Sequence, residues 1–362
     1  MKNKKNVLYS LIIMLAGVIY FPVQAQQKNG AIKSETKDVS TSHGPNTSVR
    51  TIKQDRKGNM WLVSIEGIIR YDGKSFTNLT SKVSSHRIWD VLEDRRGNIW
   101  FATIDSGVYY YNGKSLQHYT TSEGLASNSV FEIYEDKAGI IWFGTGGGAS
   151  RYDGRSFRNF KMNVPPPVIQ TDSIHVSGHH KQLQHPELYW MVNETNNRVH
   201  TIIEDKTGKF WFGTWGYASV YDGKTFTTIT NKDGKPFTKV RSIIEDKKGN
   251  IWLGGGGGLW RYDGTTFTQF TKNSVGYVYE DRKGNIWTSS ERDNGEVWAL
   301  SRYDEKSLSN KKPTVTEIMS GGNGLFEIVE ARDGSIWIGA SDGVYRYDGK
   351  TITDFKGKEG QK

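Results

Sequence analysis

One tryptophan-containing phrase recurs seven times along the chain and limits its fold more than any other feature. A typical copy has an apolar segment, Glu-Asp, two residues, Gly, one residue, an apolar residue and Trp. Most copies lie about 40 residues apart, which is typical of the blades of a β-propeller. The wider gap before the fourth copy holds one repeat and an insertion at residues 161–197, because no further copy lies within it. The seven tryptophans are Trp61, Trp100, Trp142, Trp211, Trp252, Trp287 and Trp337.

Two turn signatures divide every repeat into four short strands, A to D. The glycine of the first phrase suits the left-handed position of a bulged hairpin between strands A and B. Tyr-Asp-Gly or Tyr-Asn-Gly, about ten residues after the Trp, predicts a second hairpin between strands C and D. In the sixth repeat Tyr303-Asp304-Glu305 lacks this glycine, so an irregular hairpin is expected there.

These repeats predict an all-β fold, a seven-bladed β-propeller of four-stranded antiparallel blades, over residues 48–362. The Trp of strand B and the Tyr of strand C are expected to pack between adjacent blades. A helical solenoid is disfavoured because no segment follows a 3.6-residue period. The strands are complete in sequence order, so closure needs no swapped strand unless residues 27–47 add one.

The N-terminus predicts export. Lys2, Lys4 and Lys5 precede an apolar run at residues 7–21, and Val23-Gln24-Ala25 offers small residues for cleavage. We therefore expect a signal peptide at 1–25, a flexible leader at 26–47 and a periplasmic or secreted protein. An uncleaved anchor is disfavoured because the apolar run is shorter than the roughly 20 residues that span a bilayer. The chain has no cysteine, which excludes disulfides and zinc-thiolate sites.

The basic charge does not indicate nucleic-acid binding. The formal net charge is +9, and it becomes +6 without the three lysines of residues 1–25. Most basic residues lie in short turns beside acidic ones, as in Glu245-Asp246-Lys247-Lys248, and no basic run is interleaved with aromatics. We expect no nucleic-acid partner, and no membrane association after signal cleavage.

The segment from Val240 to Gly254, VRSIIEDKKGNIWLG, followed by Arg261-Tyr262-Asp263-Gly264, closely resembles the two-component regulator propeller repeat. It differs from the WD40 repeat because no Gly-His and Trp-Asp pair occurs. The resemblance implies a ligand-binding sensor propeller like those of Bacteroidetes hybrid two-component systems, which often sense oligosaccharides. No transmembrane, kinase or response-regulator region follows the repeats in this sequence. We therefore expect a stand-alone ligand-binding propeller with a separate signalling partner, and no direct phosphorelay.

Differences among the repeats predict where a site would lie. The A–B and C–D turns are nearly uniform, whereas the B–C and D–A loops of the opposite face differ from blade to blade. Varied loops on a rigid scaffold are where proteins usually carry function. Strand A lines the channel, and its early side chains could stack on and hydrogen-bond a ligand, or could simply pack the channel mouth. The candidate ligand-binding residues are Arg50, Trp89, Phe131, His200, Trp215, Tyr217, Arg241 and Glu327.

The sequence predicts no catalytic residue, metal or cofactor. The insertion contains Pro165-Pro166-Pro167, His175, His179-His180 and His185, but these match no zinc-enzyme signature, and a lid or docking loop is the better interpretation. The glycine run 254–258 lacks the Lys-Ser/Thr of a phosphate-binding loop. Glu132, His200 and Glu327 could supply acid-base chemistry if the channel mouth were catalytic.

The leading functional hypothesis is an exported, non-catalytic binding or sensor-like propeller that recognises a glycan or a protein partner at the variable face. The first alternative is an enzyme, either a polysaccharide lyase or hydrolase or a lactone-type lyase, that works at the channel mouth. The second is a purely structural interaction scaffold.

Overall fold

A computed structural model of the chain describes residues 39–79, 87–162, 197–292, 295, 297–321 and 324–357. The predicted signal peptide and the histidines of the insertion lie outside the described residues. All described residues fall in one compact unit that spans Thr36–Lys362. They form β-strands joined by turns, with helical structure limited to single 3-10 turns at Thr121–Glu123 and Glu305–Ser307.

Seven antiparallel sheets make up the fold, and in each the four repeat strands lie in sequence order. The predicted seven-bladed, all-β propeller is therefore confirmed. Blades one to three consist of β2 to β5 (Val49–Gln54, Met60–Ser64, Gly67–Tyr71, Phe76–Asn78), β6 to β9 (Ile88–Glu93, Ile99–Thr103, Val108–Tyr111, Leu116–Tyr119) and β10 to β13 (Val130–Glu135, Ile141–Thr145, Gly148–Tyr152, Phe157–Phe160). Blades four and five consist of β14 to β17 (Val199–Glu204, Phe210–Thr214, Ala218–Tyr221, Phe226–Thr228) and β18 to β21 (Val240–Glu245, Ile251–Gly255, Gly258–Tyr262, Phe267–Thr271). Blades six and seven consist of β22 to β25 (Val275–Glu280, Ile286–Arg292, Val297–Tyr303, Val315–Ser320) and β26 to β29 (Leu325–Glu330, Ile336–Ala340, Gly343–Tyr347, Ile352–Asp354).

The ring closes between the first and last blades. The inner strands contact one another in chain order, and β26 contacts β2. Strand β1 (Val39–Thr41) pairs antiparallel with β5 as a fifth, outermost strand of the first blade. Just after β1, the Gly44 amide donates to the Phe355 carbonyl of the seventh blade over 2.7 Å. The described part of the predicted leader therefore adds a strand and contacts both blades at the closure.

The hydrophobic core is divided into seven clusters, one at each interface between neighbouring blades. At the interface of blades five and six, Trp252 is fully buried against Leu259, Val275 and Ile286, with Tyr303 beside them. The repeated Trp thus packs between blades as predicted. Truncating a buried Trp of this kind to Ala costs about 3–5 kcal/mol.

The hydrogen bonds of the aspartate explain why the repeated phrase contains both an Asp and a Trp. In blade five, Asp246 accepts hydrogen bonds from the backbone amides of Lys248 and Asn250, over 3.0 and 2.8 Å. Its second oxygen accepts from the indole nitrogen of Trp252 over 2.8 Å. Gly249 holds the left-handed position of the turn, with φ of 84°. One carboxylate therefore closes the A–B turn and satisfies the buried indole, and this arrangement recurs in the first six blades.

The glutamate of the same phrase joins neighbouring blades. The Lys206 amide, in the turn of blade four, donates to Glu245 of blade five over 2.8 Å. The last link differs, because Arg332 of blade seven donates to the amide oxygen of Gln54 over 2.9 Å. Gln54 replaces the glutamate only in the first repeat, where it completes the ring of inter-blade bonds. The remaining acceptors are Glu93, Glu135, Glu204, Glu280 and Glu330.

The sixth blade has the irregular hairpin that its missing glycine predicts. After Tyr303 the chain forms the 3-10 turn Glu305–Ser307, with Asp304 as its N-cap, and β25 begins only at Val315. In the other blades a four-residue turn that begins with Asp-Gly or Asn-Gly makes this connection, as at residues 263–266, where Tyr262 pairs with Phe267 and the φ of Gly264 is 99°.

Candidate functional site

Every inner strand carries a β-bulge at its second residue. In β18, Val240 pairs with Gly255 and Ser242 with Gly254, so Arg241 between them has no partner. A bulge of this kind re-aims a side chain, and here Arg241 and Ser242 both line the channel. The same register shift occurs in all seven blades. It explains why two successive residues of each inner strand belong to the channel wall.

The central channel contains two cavities. The larger, of about 690 Å³, opens on the face of the B–C and D–A loops, and we call it the cup. The smaller, of about 460 Å³, lies at the face of the A–B turns. Lys53, Tyr277 and Glu327 line both cavities and form the partition between them. The cup is within the size range of small-molecule sites in proteins, roughly 300–1,000 Å³.

A chain of aromatic and cationic side chains surrounds the cup opening, and we call it the rim. The Arg50 guanidinium lies 4.6 Å from the Trp89 ring and 4.9 Å from the Phe326 ring. Trp89 meets Phe131 edge-on at 5.8 Å between centroids, and Phe131 lies 5.0 Å from His200. His200 and Arg241 both contact Trp215, at 5.7 and 5.6 Å. The rim is therefore a continuous set of neighbours from six blades: Phe326, Arg50, Trp89, Phe131, His200, Trp215 and Arg241.

The sixth blade contributes to the cup in a different way. Its bulge residue is Gly276, and a Cβ atom there would lie 2.9 Å from the Trp298 ring. Trp298 belongs to strand C of that blade and is buried beside the cup. A tryptophan from a neighbouring strand thus occupies the space that the inner-strand side chain fills elsewhere.

His200 is neutral at physiological pH. Its burial, and then the positive charges of Arg198 and Arg241, lower its pKa to about 4. Its Nε2 atom is buried and has no hydrogen-bond partner among the described residues. The imidazole ring therefore has one unsatisfied polar nitrogen, close to the guanidinium groups of Arg198 and Arg241.

The partition at the cup floor is a network of charged side chains. Lys53 Nζ and Glu327 Oε1 are 2.5 Å apart, and the Tyr277 hydroxyl donates to the same oxygen over 2.8 Å. The second Glu327 oxygen accepts from the Ile52 amide over 2.9 Å. Asp90 similarly accepts from the Ile133 amide of the next blade over 2.8 Å. These carboxylates therefore connect adjacent inner strands as well as line the cup.

Two floor carboxyls, those of Asp90 and Glu132, hold their protons more tightly than free ones. Burial, together with the nearby Glu327 charge, raises the pKa of Asp90 to about 6, although Lys53 opposes the shift. Burial and the Asp90 charge raise the pKa of Glu132 well above its usual range. For Lys53, the surrounding acidic groups outweigh burial and raise the pKa, so it stays protonated. The floor is thus less negative than its three carboxyl groups imply.

The structure brings seven of the eight candidate residues together at the cup and leaves one outside. Tyr217 does not line the cup; its backbone bonds to Thr214 in the B–C loop of blade four. Glu327 does line the cup, but at the partition, where it is held by Lys53 and Tyr277. The candidates at the cup opening are Arg50, Trp89, Phe131, His200, Trp215 and Arg241.

Three functional features escaped the sequence predictions. Lys53 shares the strand face of Thr51, so strand alternation alone could have found it. Arg198 lies in the D–A loop just before β14, where no strand pattern applies. Trp298 is the most hidden, because only the absence of a side chain at Gly276 admits it. No cluster of three potential metal ligands occurs within the described ranges.

The fold and the site together define a class: a seven-bladed β-propeller with a cup at one channel mouth, ringed by aromatic and cationic side chains. The two component regulator propeller family matches residues 43–66, 82–105, 124–147, 193–216 and 234–257. These segments are the A–B units of the first five blades, so these five blades carry the two-component regulator propeller repeat. No curated protein matches the chain in sequence.

Solved structures share the fold at low sequence identity. The extracellular domain of the hybrid two component system BT3049 from B. thetaiotaomicron is 21% identical with a TM-score of 0.63, over 84% of this chain and 39% of that one. Virginiamycin B lyase from Staphylococcus aureus is 13% identical with a TM-score of 0.58, over 85% and 97%. PorZ, a surface component of the type-IX secretion system of Porphyromonas gingivalis, is 13% identical with a TM-score of 0.57, over 84% and 47%. The chain thus spans about two fifths of the BT3049 domain.

The fold neighbour from BT3049 is an extracellular domain, which is consistent with the predicted export. None of the helical turns in the described ranges has the length and apolar character of a bilayer-spanning helix.

Proposed function

We propose that the chain is an exported, non-catalytic binding propeller that recognises an oligosaccharide-sized ligand in the cup. One observation carries the proposal: four aromatic rings and two guanidinium groups surround the opening of a cavity of about 690 Å³. Aromatic faces stack on the apolar faces of sugar rings, and guanidinium groups donate hydrogen bonds to their oxygens. A cup suits a small ligand better than a protein surface, which usually needs about 800 Å² of contact on each partner.

A role in stability alone does not explain why the rim side chains are exposed. Arg50, Trp89, Trp215 and Arg241 are all partly exposed, whereas the repeated tryptophans between blades are mostly buried. Exposed aromatics concentrated in one concave place are typical of binding sites.

The direct test is calorimetric titration of the purified protein with a panel of neutral, uronate-containing and sulfated oligosaccharides. Trp215→Ala is expected to weaken the binding of any ligand found by at least about 30-fold, since truncating a central aromatic costs about 2 kcal/mol or more. The free energy of unfolding should fall by about 1 kcal/mol or less, because Trp215 is only partly buried.

Tyr111→Ala is the matched control. Tyr111 is exposed at a C–D turn, on the opposite face, and its hydroxyl only bonds the Gly113 carbonyl. Its loss should leave affinity unchanged. An oligosaccharide that binds equally well to wild type, Trp89→Ala and Trp215→Ala would contradict the proposal. Binding only to a protein partner, at the outer loops, would do the same.

A second candidate function is catalysis at the cup floor, and the position of Glu132 in the cup lining favours it. Burial raises the pKa of Glu132, which is the direction that a general acid needs. Incubation of each bound oligosaccharide with the protein, followed by chromatography, tests this function. Product formed by wild type and abolished by Glu132→Gln would support an enzyme, whereas an unchanged substrate would favour pure binding.

A further inference from the structure

Four cationic side chains lie around the cup opening, and we call them the rim cations. Each lies over an aromatic ring, between 4.6 and 5.8 Å from its centre. None forms an ion pair with a carboxylate among the residues that the structure describes. The rim cations are Arg50, Arg198, Lys239 and Arg241.

The arginines of the opposite face differ sharply from the rim cations. Arg56, Arg95 and Arg282 each pair with a glutamate of the next blade, and their guanidinium groups also bond carbonyl oxygens. Those charges are neutralised by the fold itself. Within the described ranges no carboxylate pairs with the rim cations, so their charge is available to a ligand.

The positive charges of two rim cations act on the same histidine. Arg198 and Arg241 both lower the pKa of His200, which shows that two positive charges converge on one side chain. The charged side chains at the cup opening are all positive, whereas the carboxyl groups of Asp90, Glu132 and Glu327 line its floor. Charges of one sign around an opening attract ligands of the opposite sign. An incoming anion would relieve the repulsion between these two positive charges.

Lys239 adds an independent observation. Its φ of 51° is the single positive value at a non-glycine position among the described residues. Its amide donates to the Trp215 carbonyl, and its carbonyl accepts from Gly256, so its backbone joins two B–C loops at the rim. Glycine would adopt this backbone with less strain. A lysine there places a charge over the Trp215 ring at the expense of local strain, which is common at functional sites.

We propose that the cup selects anionic oligosaccharides, with the rim cations binding carboxylate or sulfate groups while the rim aromatics stack on the sugar rings. This inference rests on the proposed function and adds the charge of the ligand. It predicts that affinity depends on the acidic groups of the sugar and falls with added salt, since exposed charges are screened.

The test uses matched pairs of probes. Uronate oligosaccharides are titrated beside their methyl esters, and sulfated oligosaccharides beside their desulfated forms, against the purified protein. We expect the charged member of at least one pair to bind at least about tenfold more tightly, because a charge-assisted hydrogen bond is stronger than a neutral one. The class that binds then distinguishes a carboxylate ligand from a sulfate ligand.

Variants separate charge from shape. Arg241→Gln should reduce the affinity for the charged probe by about tenfold and the affinity for the neutral probe by much less, whereas Arg241→Lys should retain most of the affinity for the charged probe. Arg158→Gln is the control, because Arg158 lies 5.0 Å from the Phe160 ring on an outer strand, away from the cup. The affinity of the Arg158→Gln variant for both probes should equal that of wild type.

Two results would overturn the inference in distinguishable ways. Equal binding of charged and neutral probes, abolished in both cases by Trp215→Ala, would refute the anionic ligand and leave the proposed function intact. Failure of every oligosaccharide, charged or neutral, to bind would refute both.

Discussion

The two faces of the propeller use the same kinds of side chain for different purposes. On the face of the A–B turns, tryptophans are satisfied by aspartates, arginines by glutamates, and each blade is bonded to the next. At the cup, tryptophans and arginines have no carboxylate partner among the described residues, and they contact one another and the other aromatic side chains of the rim. Side chains whose polar groups are all hydrogen-bonded or ion-paired within the protein maintain the fold. Side chains whose polar groups lack such partners are available to a ligand.

The largest expected effect is at Lys53, which lies between the two faces. Lys53→Met removes the cation that balances Glu327 and leaves buried carboxylates without compensation. Breaking a buried ion pair from one side costs about 3–5 kcal/mol, and we expect the lower end here because the Lys53 side chain is 39% exposed while Glu327 is only 8% exposed. Urea unfolding at neutral pH measures the loss. A loss below about 1 kcal/mol would show that the partition is not part of the fold's stabilising network.

The same floor predicts a pH dependence with a definite sign. The pKa of Asp90 is about 6 in the folded protein, above its value of 3.8 in the unfolded chain. The folded state therefore binds this proton more tightly, and the free energy of unfolding should fall as pH rises from about 4 to about 6. In Lys53→Met the carboxyl pKa values rise further, so its deficit should shrink at acidic pH. A deficit that grows as pH falls would contradict this electrostatic interpretation.

The second-largest effect on stability is expected from a substitution on the face of the A–B turns. Asp246→Ala removes four hydrogen bonds, including the one that satisfies the buried Trp252 indole. We expect a loss of about 2–4 kcal/mol in the free energy of unfolding, with ligand affinity unchanged. The seventh blade offers the reverse experiment, because Ala331 occupies the aspartate position and Ser335 accepts from the Trp337 indole instead, over 3.2 Å. Ala331→Asp should be neutral or stabilising, and a large loss there would show that the bond pattern is not transferable between blades.

These examples mark how far the sequence could predict the structure. The Trp, Asp and Gly of each repeat sit where local geometry admits few alternatives, so the strands, the turns and the interfaces between blades follow from the repeated phrase. The positions of Arg50 and Arg241 were predictable because each precedes a channel residue in a repeated strand. Tyr217 and Trp298 were not, since one depends on the course of a single loop and the other on an empty space at Gly276. Likewise, β1 was open in the sequence because three residues carry too little pattern to assign a partner strand.

A substitution at Lys239 is expected to have a smaller effect on stability, and it would sharpen the comparison between the two faces. Lys239→Gly removes a rim charge and relieves a left-handed backbone at the same position. We expect the free energy of unfolding to stay equal or rise by up to about 1 kcal/mol, while affinity for an anionic ligand falls. Thermal unfolding and titration of the same preparation measure both. A destabilised variant with unchanged affinity would place Lys239 among the residues that maintain the fold.

The most direct test of the central claim needs no ligand. The claim is that the rim cations are not held for stability, so the triple substitution Arg50→Gln, Arg198→Gln and Arg241→Gln is compared with wild type by urea unfolding. Lost cation–π contacts, worth about 0.5–1 kcal/mol each when exposed, should be largely offset by relief of repulsion among unpaired charges. We predict a free energy of unfolding within about 1 kcal/mol of wild type. A loss greater than about 3 kcal/mol would contradict the claim and show that the rim, like the opposite face, is part of what holds the propeller together.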